Sequence, residues 1–154
     1  MPKLKSKRMD PVNQLADKYD KEYAIIYAKC LSEVHALEDQ LKKLYSYRDG
    51  YNQQFIDLSN QGVGSNRLQD ILKFMTNLNV SIDGIGIQIR RQKKVCEEKK
   101  KQWMEKHNKK RIYRTVTNKY VKEEQIIQNK AEQKQQDEFN QAQFHRKLQL
   151  KSEV

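Results

Sequence analysis

From Val34 onward, apolar residues recur at alternating steps of three and four: Leu37, Leu41, Leu44, Tyr51, Phe55 and Leu58, with Arg48 the one polar member. After a short glycine-containing stretch a second series begins: Leu68, Ile71, Met75, Leu78, Ile82, Ile85, Ile89, Gln92, Cys96, Lys99 and Trp103. Steps of three and four keep one stripe of a helix against a partner helix, the pattern of a coiled coil. The two stripes also mirror each other. Leu58 with Leu68, Phe55 with Ile71, Tyr51 with Met75, Leu44 with Ile82, Leu41 with Ile85, Leu37 with Ile89 and Cys30 with Cys96 share a position sum of 126. A constant sum requires an antiparallel hairpin folded near residue 63. The predicted fold is all-α, a long antiparallel two-helix coiled coil.

The same pattern gives the boundaries. Residues 1–9 read as a basic flexible tail carrying Lys3, Lys5, Lys7 and Arg8. Residues 10–145 read as a single hairpin domain: a helix over about 10–59, a turn over about 60–65 and a helix over about 66–145. Residues 146–154 read as a second flexible tail. Asp10 is placed to cap the first helix, with Pro11 in its first turn. Before Val34 the seam reads Val12, Leu15, Tyr19, Tyr23, Ile26 and Cys30, two eleven-residue steps that would relax the supercoil locally. Gly62 suits the left-handed conformation that ends helices, and Ser65 or Asn66 suits the next cap. The register puts Tyr23 beside Trp103. From about residue 115 the second helix outruns its partner, and a Gln-, Lys- and Glu-rich stretch there has little reason to stay helical alone. Gly84 and Gly86 interrupt the second helix. They read either as a hinge or close approach, or as drift tolerated on a well-packed seam, the second being the simpler expectation.

Composition fits an extended coiled coil better than a globule. The chain has 154 residues, with 36% hydrophobic and 33% charged, and a mean hydropathy of −1.04. A two-helix structure buries one stripe per helix, so such a polar chain suffices. No run of apolar residues is long enough for a membrane span, and no secretory leader is recognisable. Cytoplasmic residence is expected. The two cysteines make neither a disulfide framework nor a zinc site. No catalytic, cofactor-binding or metal-binding residues are assigned: His35, His107 and His145 are scattered, and no glycine pattern matches a nucleotide loop. The chain is read as a non-enzyme without cofactors.

Charge offers the rival reading. The net charge is +11, and residues 90–114 hold twelve Lys or Arg against three Glu. Such a block suits phosphate backbones, an anionic membrane surface or an acidic protein. Its lysines wrap the helix and come with no recognition helix or aromatic platform, so nucleic acid is not the expected partner.

Several segments in order carry a family resemblance: residues 39–51 (Asp-Gln-Leu-Lys-Lys-Leu-Tyr-Ser-Tyr-Arg-Asp-Gly-Tyr), the 64–67 turn, residues 74–82, residues 103–106 and residues 134–139. Together they resemble the flagellar FliJ family over nearly the whole chain after about residue 12. The resemblance implies a soluble component of the flagellar type III export apparatus, similar to the rotor stalk of rotary ATPases. Its implied partners are the hexameric flagellar export ATPase, bound at the end carrying both termini, an export gate membrane protein and export chaperones. It would lie at the cytoplasmic face of the membrane at the flagellar base, serving flagellum assembly and motility. Family contact positions carried over residue by residue are Gln40, Leu44, Tyr47 and Tyr51 on the first helix and Phe74, Leu78, Ser81 and Ile85 on the second. Ser81 and Ile85 depart from the family pattern, which tends to have Ala and His there. Tyr47 and Phe74 fall off the seam and read as exposed aromatics, or else as a broadening of the hairpin core. Arg90, Arg91, Lys93 and Lys94 are assigned to the ATPase contact. The alternatives are an equivalent injectisome stalk or a basic coiled-coil module that binds nucleic acid.

Overall fold

Gly62 is where the chain reverses. Its φ of +75° is the one positive value among the described residues, and the hydrogen bonds around it are those of a Schellman motif. Val63 N–H donates to Leu58 O at 3.2 Å and Gly62 N–H to Ser59 O at 3.3 Å, satisfying carbonyls that the helix end would otherwise leave bare. The computed structural model describes residues 3–153. These form α1 (Lys5–Arg8), α2 (Asp10–Asn60) and α3 (Ser65–Ser152), an all-α chain built on a helical hairpin. Because α3 starts at Ser65, both Ser65 and Asn66 lie in its first turn instead of capping it.

The chain divides into two units, Tyr19–Lys106 and the segments on either side of it. From Cys30 to Trp103, within Tyr19–Lys106, the seam follows the expected positions. Val34, Ile71, Ile82, Ile89, Cys30 and Cys96 are buried, and Leu37, Leu41, Leu44, Tyr51, Phe55, Leu58, Leu68, Met75, Leu78, Ile85, Gln92, Lys99 and Trp103 are half-buried. No described side chain is fully enclosed, as expected where each seam residue meets only one opposing helix. Gly84 and Gly86 sit inside continuous helix. A Cβ at Gly84 would meet nothing within 4 Å, and one at Gly86 only the Arg90 Nη1 at 3.9 Å. No neighbouring backbone therefore requires a glycine at either place.

The expected seam before Cys30 is corrected. Tyr19 and Ile26 are 40% and 43% exposed, and in the other unit Val12 and Leu15 are 37% and 50% exposed. Heptads instead continue without the eleven-residue steps, through Tyr27, Tyr23 and Asp20 in one unit and Ala16, Asn13, Met9 and Ser6 in the other. Apolarity did not mark the whole series because Ser6, Asn13 and Asp20 stand among Met9, Ala16, Tyr23 and Tyr27; Asn13 pairs through its Nδ2, while its buried Oδ1 has no partner. Asp20, only 8% exposed, accepts a 2.9 Å hydrogen bond from the Trp103 indole. Trp103 stacks on Tyr27 with ring centroids 6.1 Å apart, and the Lys106 ammonium lies over the Tyr23 ring.

In the unit formed by the two ends, Asn13 Nδ2 donates to Thr117 Oγ1 at 2.9 Å. Beside the seam, Asp17 accepts both a bifurcated contact from Arg114 Nη2, at 3.2 and 3.0 Å, and a 3.9 Å ion pair from Lys110. Burial on α3 continues through Tyr113, Thr117 and Tyr120 to Glu124, beyond the expected limit near residue 115. From 125 to 153 every residue is exposed, yet the helix persists to Ser152.

Residues 5–8, expected as tail, form a helical turn. Pro11 explains why it is separate from α2: it has no N–H for the carbonyl four residues back, and its ring crowds that carbonyl. Met9 N–H still bonds the Lys5 and Ser6 carbonyls, and Asn13 N–H bonds Met9 O at 2.8 Å, so Asp10 lies within a helical path and not at a free start. Leu4 caps α1 without a side-chain bond, and Glu124 on α3 supplies the missing acceptor. Its carboxylate takes Ser6 N–H at 3.0 Å and Ser6 Oγ at 2.5 Å, which holds its pKa below the ordinary carboxyl value. This is an N-cap delivered from another helix. Residues 1, 2 and 154, the outer ends of the expected tails, lie outside the described residues.

Candidate partner-binding surface

Number the seam so that Leu41 and Ile82 are a positions and Leu44 and Ile85 are d positions. Gln40 and Tyr47 then occupy g positions on α2, and Phe74 and Ser81 g positions on α3. In an antiparallel pair the g columns border the same flank of the interface. The two stripes carried over from the family resemblance, separate in sequence, therefore meet on one face of the Tyr19–Lys106 unit. A ring contact spans it: Tyr51, a d residue of α2, stacks on Phe74 with centroids 5.9 Å apart and planes 14° from parallel.

The eight positions have two characters. Leu44, Tyr51, Leu78 and Ile85 are half-buried seam members, whereas Gln40 and Ser81 are exposed. Tyr47 and Phe74 are 58% and 55% exposed. Tyr47 and Phe74 thus offer aromatic surface to solvent, Phe74 on a ring that already holds it in place. Aromatic groups with little freedom left to lose are favoured anchors for a partner.

Arg90, Arg91, Lys93 and Lys94 are all exposed, at b, c, e and f positions, with only Arg91 bordering the g side. Lys93 Nζ is 3.7 Å from Glu38 Oε1, which places it on the e flank. The Arg90 guanidinium lies along the notch left by Gly86. Eight of the twelve assigned residues thus share one face, Arg91 borders its side, and Arg90, Lys93 and Lys94 point elsewhere. Sequence reasoning did not single out Val80 and Ile87, exposed residues seven apart on the outward side of α3. Their signal was available, since both are apolar and off the seam. Among the described residues, no group of three or more His, Cys, Asp or Glu is placed to hold a metal, and no helix is long and apolar enough to cross a membrane.

The comparison with known families decides the kinship. The model of the family described as "Flagellar FliJ protein" matches residues 5–149. The chain belongs to that family. A flagellar FliJ protein of Salmonella typhi is 24% identical over 139 residues, covering 90% of this chain and 95% of that protein. No solved structure matches. Membership of the FliJ family makes this an export-related flagellar component.

Proposed function

We propose that this chain is the non-catalytic stalk of the flagellar type III export apparatus, linking the export ATPase ring to the export gate and assisting delivery of chaperone-bound substrates. The observation that carries the reading is the convergence of Gln40, Leu44, Tyr47, Tyr51, Phe74, Leu78, Ser81 and Ile85 on one flank, in a chain matched to the family over residues 5–149. A paired helix transmits a displacement or a steric bias along its length, which a flexible linker does not. In this reading the aromatic flank meets the gate. The basic positions Arg90, Arg91, Lys93 and Lys94, with the terminal segments, meet the hexameric ATPase at the cytoplasmic face of the membrane. Lys93 spends part of its charge on Glu38, so Arg90, Arg91 and Lys94 carry more of that contact.

Two pull-downs on folded variants test the assignment, one with the gate's cytoplasmic part and one with the ATPase. Tyr47→Ala with Phe74→Ala is expected to weaken gate binding by about 2 kcal/mol or more, the range of interface anchors, and to spare the ATPase. Reversing charge at the four basic positions is expected to do the opposite. A folded aromatic variant with normal gate binding removes the flank from the interface. Binding to nucleic acid with a steep salt dependence, in the absence of either partner, would favour the basic-module reading instead.

A further inference from the structure

Cys30 and Cys96 occupy one layer of the seam in the Tyr19–Lys106 unit. They are 7% and 5% exposed and, with Val34 and the half-buried Tyr27, form its buried cluster. Both cysteines are reduced. Gln92 closes the layer from one side, with Nε2 3.7 Å from Cys30 Sγ and donating to Glu33 Oε2 at 2.7 Å. Packed helix axes lie roughly 8–10 Å apart and each Cα sits about 2.3 Å from its axis, so residues facing straight across have Cα atoms roughly 3–6 Å apart. A disulfide needs about 4.4–6.8 Å. The layer therefore supplies reach, proximity and the exclusion of competing nucleophiles.

We propose that Cys30 and Cys96 form a cross-linking site that small-molecule disulfides close, stapling α2 to α3 in register. The thiolate of one cysteine attacks the oxidant, forming a mixed disulfide and expelling one small thiolate. The second cysteine then attacks the protein sulfur of that mixed disulfide and expels the other thiol. Two protons and two electrons leave the protein, and one oxidant molecule becomes two thiols. Burial, the Cys30 contact and the nearby Glu33 and Glu97 charges push the Cys96 thiol up to about 11. Few thiolates exist at neutral pH, so the closed seam resists casual oxidation. When the seam opens locally and one sulfur reacts, the other is the nearest nucleophile. The staple thus records opening under oxidising conditions, and it fixes the pairing of the helices whatever partner the aromatic flank binds.

The test treats the intact chain in native buffer with oxidised glutathione at pH 7 and pH 9, followed by intact mass, non-reducing electrophoresis and peptide mapping. The expected product is a monomer lighter by about 2 Da with Cys30 joined to Cys96, formed several-fold faster at pH 9, as a thiolate reaction requires. Its melting temperature should rise on the order of 10 °C, because the bond closes a long loop in the unfolded chain. Reductant should reverse both changes. Cys30→Ser and Cys96→Ser should each stop at a single glutathione adduct. Two adducts without loss of mass, dimers, cross-linking confined to denaturant, or no reaction at pH 9 would each overturn the proposal.

Discussion

In Tyr19–Lys106 the paired columns are mostly Leu, Ile, Met, Val and aromatic residues, and burial needs no further explanation. In the unit formed by the two ends, the same heptad positions hold Ser6, Met9, Asn13 and Ala16 on one side and Lys110, Tyr113, Thr117, Tyr120 and Glu124 on the other. There the contacts are directional: Ser6 to Glu124, Asn13 to Thr117, and beside the seam Asp17 to Lys110 and Arg114. An apolar seam gains stability from area and tolerates small shifts. A polar seam gains little net stability per bond but penalises any register that leaves a donor or acceptor without its partner. One unit supplies cohesion, and the other supplies specificity of pairing.

The largest expected effect should fall in the apolar unit. Ile89→Ala or Ile82→Ala deletes a buried side chain, 8% or 7% exposed, and should cost about 2–4 kcal/mol by denaturant unfolding, toward the low side of the core range because water reaches the edges of a two-helix core. Lys99→Ala, on the same seam, should cost less than about 0.5 kcal/mol, since its ammonium reaches solvent past the seam. Equal losses at Ile89 and Lys99 would show that the seam is not the source of cohesion.

This contrast also sets what could be read in advance. The hairpin, the turn glycine and the register between Cys30 and Cys96 were legible because residues 30–103 keep steps of three and four on each side of the turn, with only Arg48, Gln92 and Lys99 polar. The lower seam was not, because Val12, Leu15, Tyr19 and Ile26 offered a more apolar stripe than Asn13, Ala16 and Asp20. What overrode it was partner chemistry: the Trp103 indole meets the Asp20 carboxylate and the Thr117 hydroxyl takes the Asn13 amide N–H, groups that hydropathy alone would place in water. The exposure of Tyr47 and Phe74 followed from their periodicity. The Tyr51–Phe74 stack and the Lys93–Glu38 pair did not, since both depend on which residues meet across the helices.

A second probe lies where the polar seam begins within Tyr19–Lys106. Trp103→Phe removes the indole donor to the buried Asp20 carboxylate and should cost about 1–3 kcal/mol. Asp20→Leu combined with Trp103→Phe should recover part of that loss, because an apolar pair leaves no buried charge to satisfy. A double variant no better than the sum of the single ones would mean that Asp20 contributes by some route other than its tryptophan partner.

Alkaline titration sharpens the picture from the apolar side. Cys96 holds its proton more tightly when folded, up to about 11 against an ordinary 9.0, so the folded state binds more protons between those values. Stability contributed by this group is fully present below pH 9 and declines as pH rises toward 11. Cys96→Ala should flatten that decline relative to the parent protein.

Glycine replacement should have a smaller effect of opposite sign. Gly84→Ala and Gly86→Ala place a methyl group where the structure leaves room, and each should stabilise by about 0.5–1 kcal/mol through a less flexible unfolded chain and better helix propensity. A destabilising result at either position would revive the hinge or close-approach reading that the open space argues against.

The smallest global effect, and the most local one, belongs to Glu124. Its carboxylate caps α1 from α3, and its lowered pKa means that the ionised form is the one that holds Ser6. The contribution is present above the ordinary carboxyl value of 4.5 and is lost as pH falls through the lower folded value. Glu124→Ala should leave the melting of the apolar unit unchanged while amide exchange at Ser6, Lys7 and Arg8 quickens, because a single helical turn without its cap has almost no stability of its own. Lys5 remains stacked near the Tyr120 ring, a contact too weak to hold the turn by itself. Unchanged exchange in residues 5–8 would mean that their order comes from continuity with α2 past Pro11, and that the polar seam ends at Asn13 instead of at Ser6.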